Sequence, residues 1–216
     1  MKIEEIKIAK ALPKVFVGEP ARHSDVWDTD LVLKRGEYYI ISAESGTGKS
    51  SLCAYIYGSR KDYVGNIYFN DSDIAAFSIK EWQKIRRENL AYLPQELGLF
   101  PELTAWENIK LKNDLTHHKS DEKIREWMKI LGIDFRADFP VGKMSVGQQQ
   151  RVGIIRALCQ PFDFLLLDEP VSHLDEGNNR IAAQLVMDEA KEQGAAILAT
   201  SVGNHLLLDT EKFLHL

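Results

Sequence analysis

The stretch from Tyr38 to Ser51, YYIISAESGTGKSS, constrains the fold most, because a strand ends there, a loop with two glycines turns, and a helix begins. In that context the backbone N–H groups around Gly46 and Gly48 converge on one point, and the helix N-terminus adds its positive dipole end. Lys49 supplies a cation that reaches outward, and Ser50 a hydroxyl able to ligate a divalent metal. Such a loop is built to hold a phosphate, and a chain that contains it must supply a sheet with helices around it.

The remaining composition fits that demand. The chain has 216 residues, 44% of them apolar and 27% charged, so one compact domain spanning 1–216 is expected. A net charge of −5 gives no basic footprint for nucleic acid or for an anionic membrane surface. The N-terminal MKIEEIKIAK lacks the continuous apolar core of a signal peptide, and no later run approaches a membrane span. A cytoplasmic location without direct membrane insertion is expected. Cys53 and Cys159 stand far apart and read as buried thiols.

Periodicity places the elements. Ile3 to Ala11 alternates as a strand, and LVLKRGEYYIISA reads as two strands turning at Gly36. Ser78 can cap a helix with Ile79, Trp82 and Ile85 on one face, and NIYFN and LAYLP flank it as short strands. From Ser120, Ile124, Trp127, Met128 and Leu131 recur at helical spacing until Gly132. DFLLLDEP and AAILAT read as buried parallel strands, with a helix from about 178 to 192 between them. The pattern predicts an α/β fold with an N-terminal antiparallel β part. Its core covers about 1–95 and 161–216, and a helical subdomain covers about 96–160.

Two further segments carry chemistry. FLLLDEP delivers Asp168 and Glu169 to the C-terminal edge of a strand, where ligands bind in open α/β sheets. There Asp168 can hold Mg²⁺ through water, and Glu169 can orient or deprotonate an attacking water. In KMSVGQQQRVGIIRAL a Ser-x-Gly turn opens an amphipathic helix, a second anion site at a helix N-terminus.

In order and spacing these pieces resemble the ATP-binding cassette family. The matching pieces are the loop Ala43 to Ser50, Gln95 in YLPQ, the signature MSVGQ from Met144 to Gln148, the LLLDEP strand, and SHLD from Ser172 to Asp175. The resemblance covers nearly the whole chain and implies a P-loop ATPase fold with ATP and Mg²⁺ as cofactors. It implies that Glu44, Ser45, Gly46, Thr47, Gly48, Lys49, Ser50 and Ser51 wrap the phosphates, with Phe16 stacked on adenine. Phe16 reads equally as a strand core residue, with Trp27 as the substitute. Ser145, Gly147 and Gln148 are implied to contact the nucleotide of a second cassette, so that two chains sandwich two ATPs, and a homodimer is expected. Lys49, Gln95, Glu169 and Ser201 form the implied catalytic set, and Ser50, Gln95 and Asp168 the metal set. Asp175 is implied at the dimer interface and reads equally as a helix cap.

Three positions depart from the family pattern. Ala43 stands for the first loop glycine, Val146 for the middle glycine of the signature, and Ser201 for the histidine that bonds the γ-phosphate. Serine is short and cannot become cationic, which implies slow hydrolysis. His205 and His173 read as structural, and His117 and His118 as a solvated loop. The stretch ELGLFPELTAWENI offers Leu97, Leu99, Phe100, Leu103 and Trp106, where the resemblance implies that a transmembrane permease docks, holding the chain at the inner face of the membrane. The closest likeness is to cassettes of the lipoprotein-releasing, macrolide-export and cell-division type. A regulatory clamp that binds ATP with little hydrolysis is the alternative reading.

Overall fold

A computed structural model describes residues 1–19 and 23–216. Two sheets form the frame. The first is antiparallel, with β1 (Glu5–Pro13) between β2 (Asp30–Lys34) and β4 (Tyr63–Phe69), and β5 (Ser72–Asp73) at its edge. The second is fully parallel, in the order β6 (Leu90–Leu93), β7 (Phe164–Asp168), β8 (Ala196–Ser201), β3 (Tyr38–Ser42), β9 (Phe213–His215). The two strands that meet at Gly36 therefore lie in different sheets.

Alternation explains β1, whose Ile6 and Ile8 are buried while Lys7 between them is exposed. Continuous burial explains β7 and β8, every residue of which is covered. Asp163 fastens the sheets together. Its carboxylate accepts from Ile3 N at 2.9 Å and Asn89 Nδ2 at 2.7 Å, and pairs with Arg35 at 3.1 Å.

Helix α1 (Lys49–Ile56) follows the glycine loop. Helix α2 (Ile79–Glu88) starts from a reciprocal cap between Ser78 and Glu81. Its buried face is Trp82 and Ile85, whereas Ile79 is 81% exposed, because a first-turn residue has no preceding turn to carry it over the sheet. Between the sheet strands lie α3 (Ala105–Asn113), α4 (Asp121–Ile130) and α5 (Val146–Leu158), and α6 (Glu176–Gln193) joins β7 to β8. Ser120 caps α4, as its position before two acidic residues predicts. One apolar cluster runs from Trp127 and Met128 of α4 through Ile154 of α5 to Leu165 and Leu167 of β7, so the helical segment is continuous with the sheet. The other fills the space between the two sheets, around Ile6, Phe69, Tyr55 and Leu166. Cys53 and Cys159 are buried free thiols. His117 is exposed, but His118 is partly covered and faces the buried Glu189 at 3.5 Å.

Candidate nucleotide site

Parallel strand order brings three chain segments to one edge. Ser42 at the end of β3 pairs with Ser201 at the end of β8, and Asp168 at the end of β7 pairs with Thr200. The glycine loop, Asp168 with Glu169, and Ser201 thus leave the sheet side by side at its C-terminal edge.

The loop is shaped by what lies beneath it. Gly48 has φ +99°, and a Cβ there would stand 3.1 Å from the Trp27 ring and 3.3 Å from Phe16. Glycine meets both constraints, backbone conformation and space. Trp27 is buried and its Nε1 donates to Thr47 O at 2.9 Å, so it supports the loop from below. Phe16 is half-buried at the loop's margin. Thr47 Oγ1 donates to Glu44 O at 2.9 Å, which closes the turn across Ser45 and Gly46. Lys49 is 4% exposed and donates to Ala43 O at 3.1 Å and Glu44 O at 2.6 Å. Burial holds its ammonium below the usual lysine range, while Glu169 and Asp168 pull in the opposite direction. Ser51 Oγ accepts from Arg60 at 2.9 Å, and Ala43 N bonds to Ser201 O at 3.3 Å.

Gln95, two residues past the end of β6, reaches across this edge. Its Oε1 accepts from Ser50 Oγ at 3.5 Å and its Nε2 donates to Glu169 Oε2 at 3.3 Å. Asp168 is 1% exposed, with Oδ1 accepting from Thr200 Oγ1 at 2.6 Å and Oδ2 buried without a partner among the described residues. An orphaned carboxylate oxygen in a fixed orientation, one residue before Glu169, which Gln95 links to the Ser50 hydroxyl, fits a hydrated divalent cation of the Mg²⁺ type. Glu169 has φ +52°, a left-handed conformation that costs a non-glycine residue about 1–2 kcal/mol. Its N–H is held by Thr200 O and Oγ1, both at 3.2 Å. Ser201 is 2% exposed and its Oγ has no hydrogen-bond partner among the described residues. His205 packs edge-on against Phe213, and His173 Nδ1 lies 3.0 Å from Ser172 Oγ.

Ser145 opens α5 with a reciprocal cap, Gln148 N bonding to Ser145 Oγ at 3.3 Å and Ser145 N to Gln148 Oε1 at 3.0 Å. A Cβ on Gly147 would come within 2.9 Å of His173 O, so the helix tip lies directly on the loop after β7. Val146 projects outward, 49% exposed. Among the described residues no hydrogen bond joins this tip to the glycine loop. Asp175 caps α6, its Oδ1 accepting from Asn178 N at 2.8 Å.

Sequence reasoning missed two residues. Thr200 fixes Asp168 and Glu169 together, and nothing about a threonine in a buried strand signals that. Gln150 is buried, donates to Glu169 O at 3.3 Å and Ser172 Oγ at 2.9 Å, and accepts from His173 N at 3.0 Å. Its one available signal was a glutamine on the apolar face of α5, three residues beyond Gly147.

Comparison with known proteins agrees with this geometry. The family model described as ABC transporter matches residues 26–172. The ABC transporter ATP-binding protein YtrE of Bacillus subtilis (strain 168) is 32% identical over 184 residues, 82% of this chain and 80% of that protein. The lipoprotein-releasing system ATP-binding protein LolD of Ruegeria sp. (strain TM1040) is 28% identical over 214 residues, 98% of this chain and 94% of its own. Among solved structures, the dimeric bacterial ABC transporter cassette MJ0796 superposes with a TM-score of 0.77 at 28% identity, covering 91% of this chain and 87% of that one. The same cassette in a post-hydrolysis dimer bound to ADP and Pi gives a TM-score of 0.76 at 26% identity, covering 92% and 88%. Site geometry and these likenesses lead to one conclusion: the chain belongs to the ABC transporter family as its ATP-binding cassette, an ATPase that uses ATP and Mg²⁺.

Proposed function

We propose that this cassette powers a separate membrane permease, two copies closing on two Mg-ATP and opening after hydrolysis. The observation that carries this reading is the bridge from Ser50 through Gln95 to Glu169, which links a metal-ligating hydroxyl to a carboxylate placed to act on water. The loop from Glu44 to Ser51 wraps the β- and γ-phosphates, Lys49 turning from the loop carbonyls toward them, and Phe16 stacks on adenine. Bound Mg²⁺ supplies charge neutralisation at the phosphates, held by Ser50 and, through water, by Asp168 and Gln95. Glu169 accepts the proton of the attacking water from its fixed position. Ser145, Gly147 and Gln148 complete the site of the partner copy, consistent with a helix tip that makes no hydrogen bond to its own loop. The permease docks beside Leu97 to Trp106, where Leu97, Leu99 and Trp106 pack on the core and Phe100 stays 49% exposed. On this reading the chain works at the inner face of the membrane.

Hydrolysis is slow on this reading, since Ser201 offers a short neutral group where the family uses a histidine. Steady-state hydrolysis by the wild type and Glu169→Gln tests the proposal. Turnover should fall by about 10²-fold or more in the variant, with loss of a general base. Equal rates would replace the motor by the clamp, a reading favoured by the outward Val146 at the expected dimer contact.

A further inference from the structure

Arg60 reaches the phosphate loop from outside the glycine motif. Helix α1 stops at Ile56, and Gly58, with φ +71° and the Trp82 ring 2.5 Å from where a Cβ would stand, turns the chain back on it. Arg60 N bonds to Ala54 O at 3.3 Å, so the Arg60 backbone sits one turn from Ser51 along α1. Its side chain runs back toward the loop, and Nη1 donates to Ser51 Oγ at 2.9 Å. The rest of the guanidinium is held in place. Nε donates to Asp62 Oδ1 at 3.0 Å, Nη2 donates to Asp62 Oδ2, and the central carbon lies 5.4 Å from the middle of the Tyr55 ring. Tyr55 is itself buried between Trp27 and Tyr63, ring centres 6.2 and 4.9 Å away. A planar fork fixed on a carboxylate and a ring loses little freedom when it bonds to a third group.

The consequence falls on the Ser51 hydroxyl, which carries one proton and two lone pairs. Arg60 fills one lone pair, so the proton is turned away from the guanidinium. A serine inside a helix often gives that proton to the carbonyl four residues earlier. Among the described residues Ser51 makes no such bond to Thr47 O, which accepts from Trp27 Nε1 instead. The Tyr55 hydroxyl, which donates to Asp62 O at 3.1 Å, lies beside Ser51 as a neutral acceptor. An ionised phosphate oxygen is a stronger one. Ser50 faces Gln95 and the acids, whereas Ser51, about 100° further round the helix, faces Arg60.

We propose that Arg60 is a positioning residue of the nucleotide site: clamped by Asp62, it orients the Ser51 hydroxyl to donate to the phosphates that ADP and ATP share. The inference rests on the proposed wrapping of phosphates by the loop from Glu44 to Ser51. Because Asp62 neutralises Arg60, the effect is one of direction rather than of added positive charge.

Titration calorimetry on the full chain, with Mg-ADP and with a non-hydrolysable Mg-ATP analogue, tests it. Arg60→Ala should weaken both about fivefold, and should raise the KM for Mg-ATP by more than it lowers kcat. Made in Ser51→Ala, the same change should cost less than about twofold. That cycle is decisive because an unpaired Asp62 repels nucleotide whether or not residue 51 has its hydroxyl. Lys61→Ala removes an equal charge next in sequence and should leave both affinities within about twofold. Unchanged affinities in Arg60→Ala, an equal loss with and without the Ser51 hydroxyl, an equal loss in Lys61→Ala, or a loss confined to the ATP analogue each overturn the proposal. So does a lowered urea midpoint beside wild-type affinity, which assigns Arg60 to folding alone. Wild-type binding that Lys49→Ala abolishes and Arg60→Ala leaves intact refutes this proposal alone, whereas binding indifferent to Lys49 removes the loop reading beneath it as well.

Discussion

At the scale of single residues, Ser201 and Lys112 give the sharpest expectations. Ser201 Oγ is buried without a hydrogen-bond partner among the described residues, at the strand end beside Thr200 and Ala43. On the proposed mechanism, Ser201→His restores a γ-phosphate donor and raises kcat by about 10²-fold or more. Measured turnover that does not rise would remove Ser201 as the cause of slow hydrolysis. Lys112 governs a pH dependence. Burial and, after it, the charge of Arg156 bring its folded pKa down to about 8, below the ordinary lysine value of about 10.4, so the unfolded chain holds more protons between those values. Its penalty is therefore complete below pH 8 and relaxes as pH rises through that window. Denaturant melts should give Lys112→Met about 1 kcal/mol more stability than wild type at pH 7, with the gap closing toward pH 10. Comparing the two proteins is needed because Tyr39 and Tyr92, held above the usual phenol range by burial, work the other way once free tyrosine ionises near pH 10.

At the scale of elements, the tip of α5 is the part most exposed to test. Gly147→Ala pushes a methyl to within 2.9 Å of His173 O, a backbone atom that cannot swing aside, and should cost about 1–3 kcal/mol in urea unfolding. An unchanged midpoint would mean that tip and loop are not in register. Sequence periodicity made most elements legible because each is locally signalled. Ser78 and Ser120 cap their helices, and β7 is a single apolar run ending in two acids. Ile79 misled because period alone does not reveal that a first turn lies beyond the sheet. Strand β9 escaped because Phe213 to His215 is too short to have a period, and its pairing with β3 is a long-range event. Motif spacing named the residues Lys49, Gln95, Asp168 and Glu169. It could not name Thr200 or Gln150, whose roles arise from hydrogen bonds across 32 and 19 positions of sequence.

At the scale of the whole molecule, one parallel sheet carries the glycine loop and both acids, while the serine-led tip stands on a helix tied to that sheet through apolar packing. Binding should therefore stabilise the entire unit. Mg-ATP at about 100 times its dissociation constant should add about 2.7 kcal/mol to the stability of the Glu169→Gln chain. Lys49→Ala should remove most of that increment in a thermal melt, and a full shift in that variant would place the nucleotide elsewhere. Gln150 has a longer reach than its size suggests. On the proposed mechanism, its grip on Glu169, Ser172 and His173 from one turn of α5 ties the proton acceptor of a chain's own site to the surface that chain lends to a second copy. In the proposed paired assembly, the two reaction centres would then be linked through each protomer as well as across the seam between them.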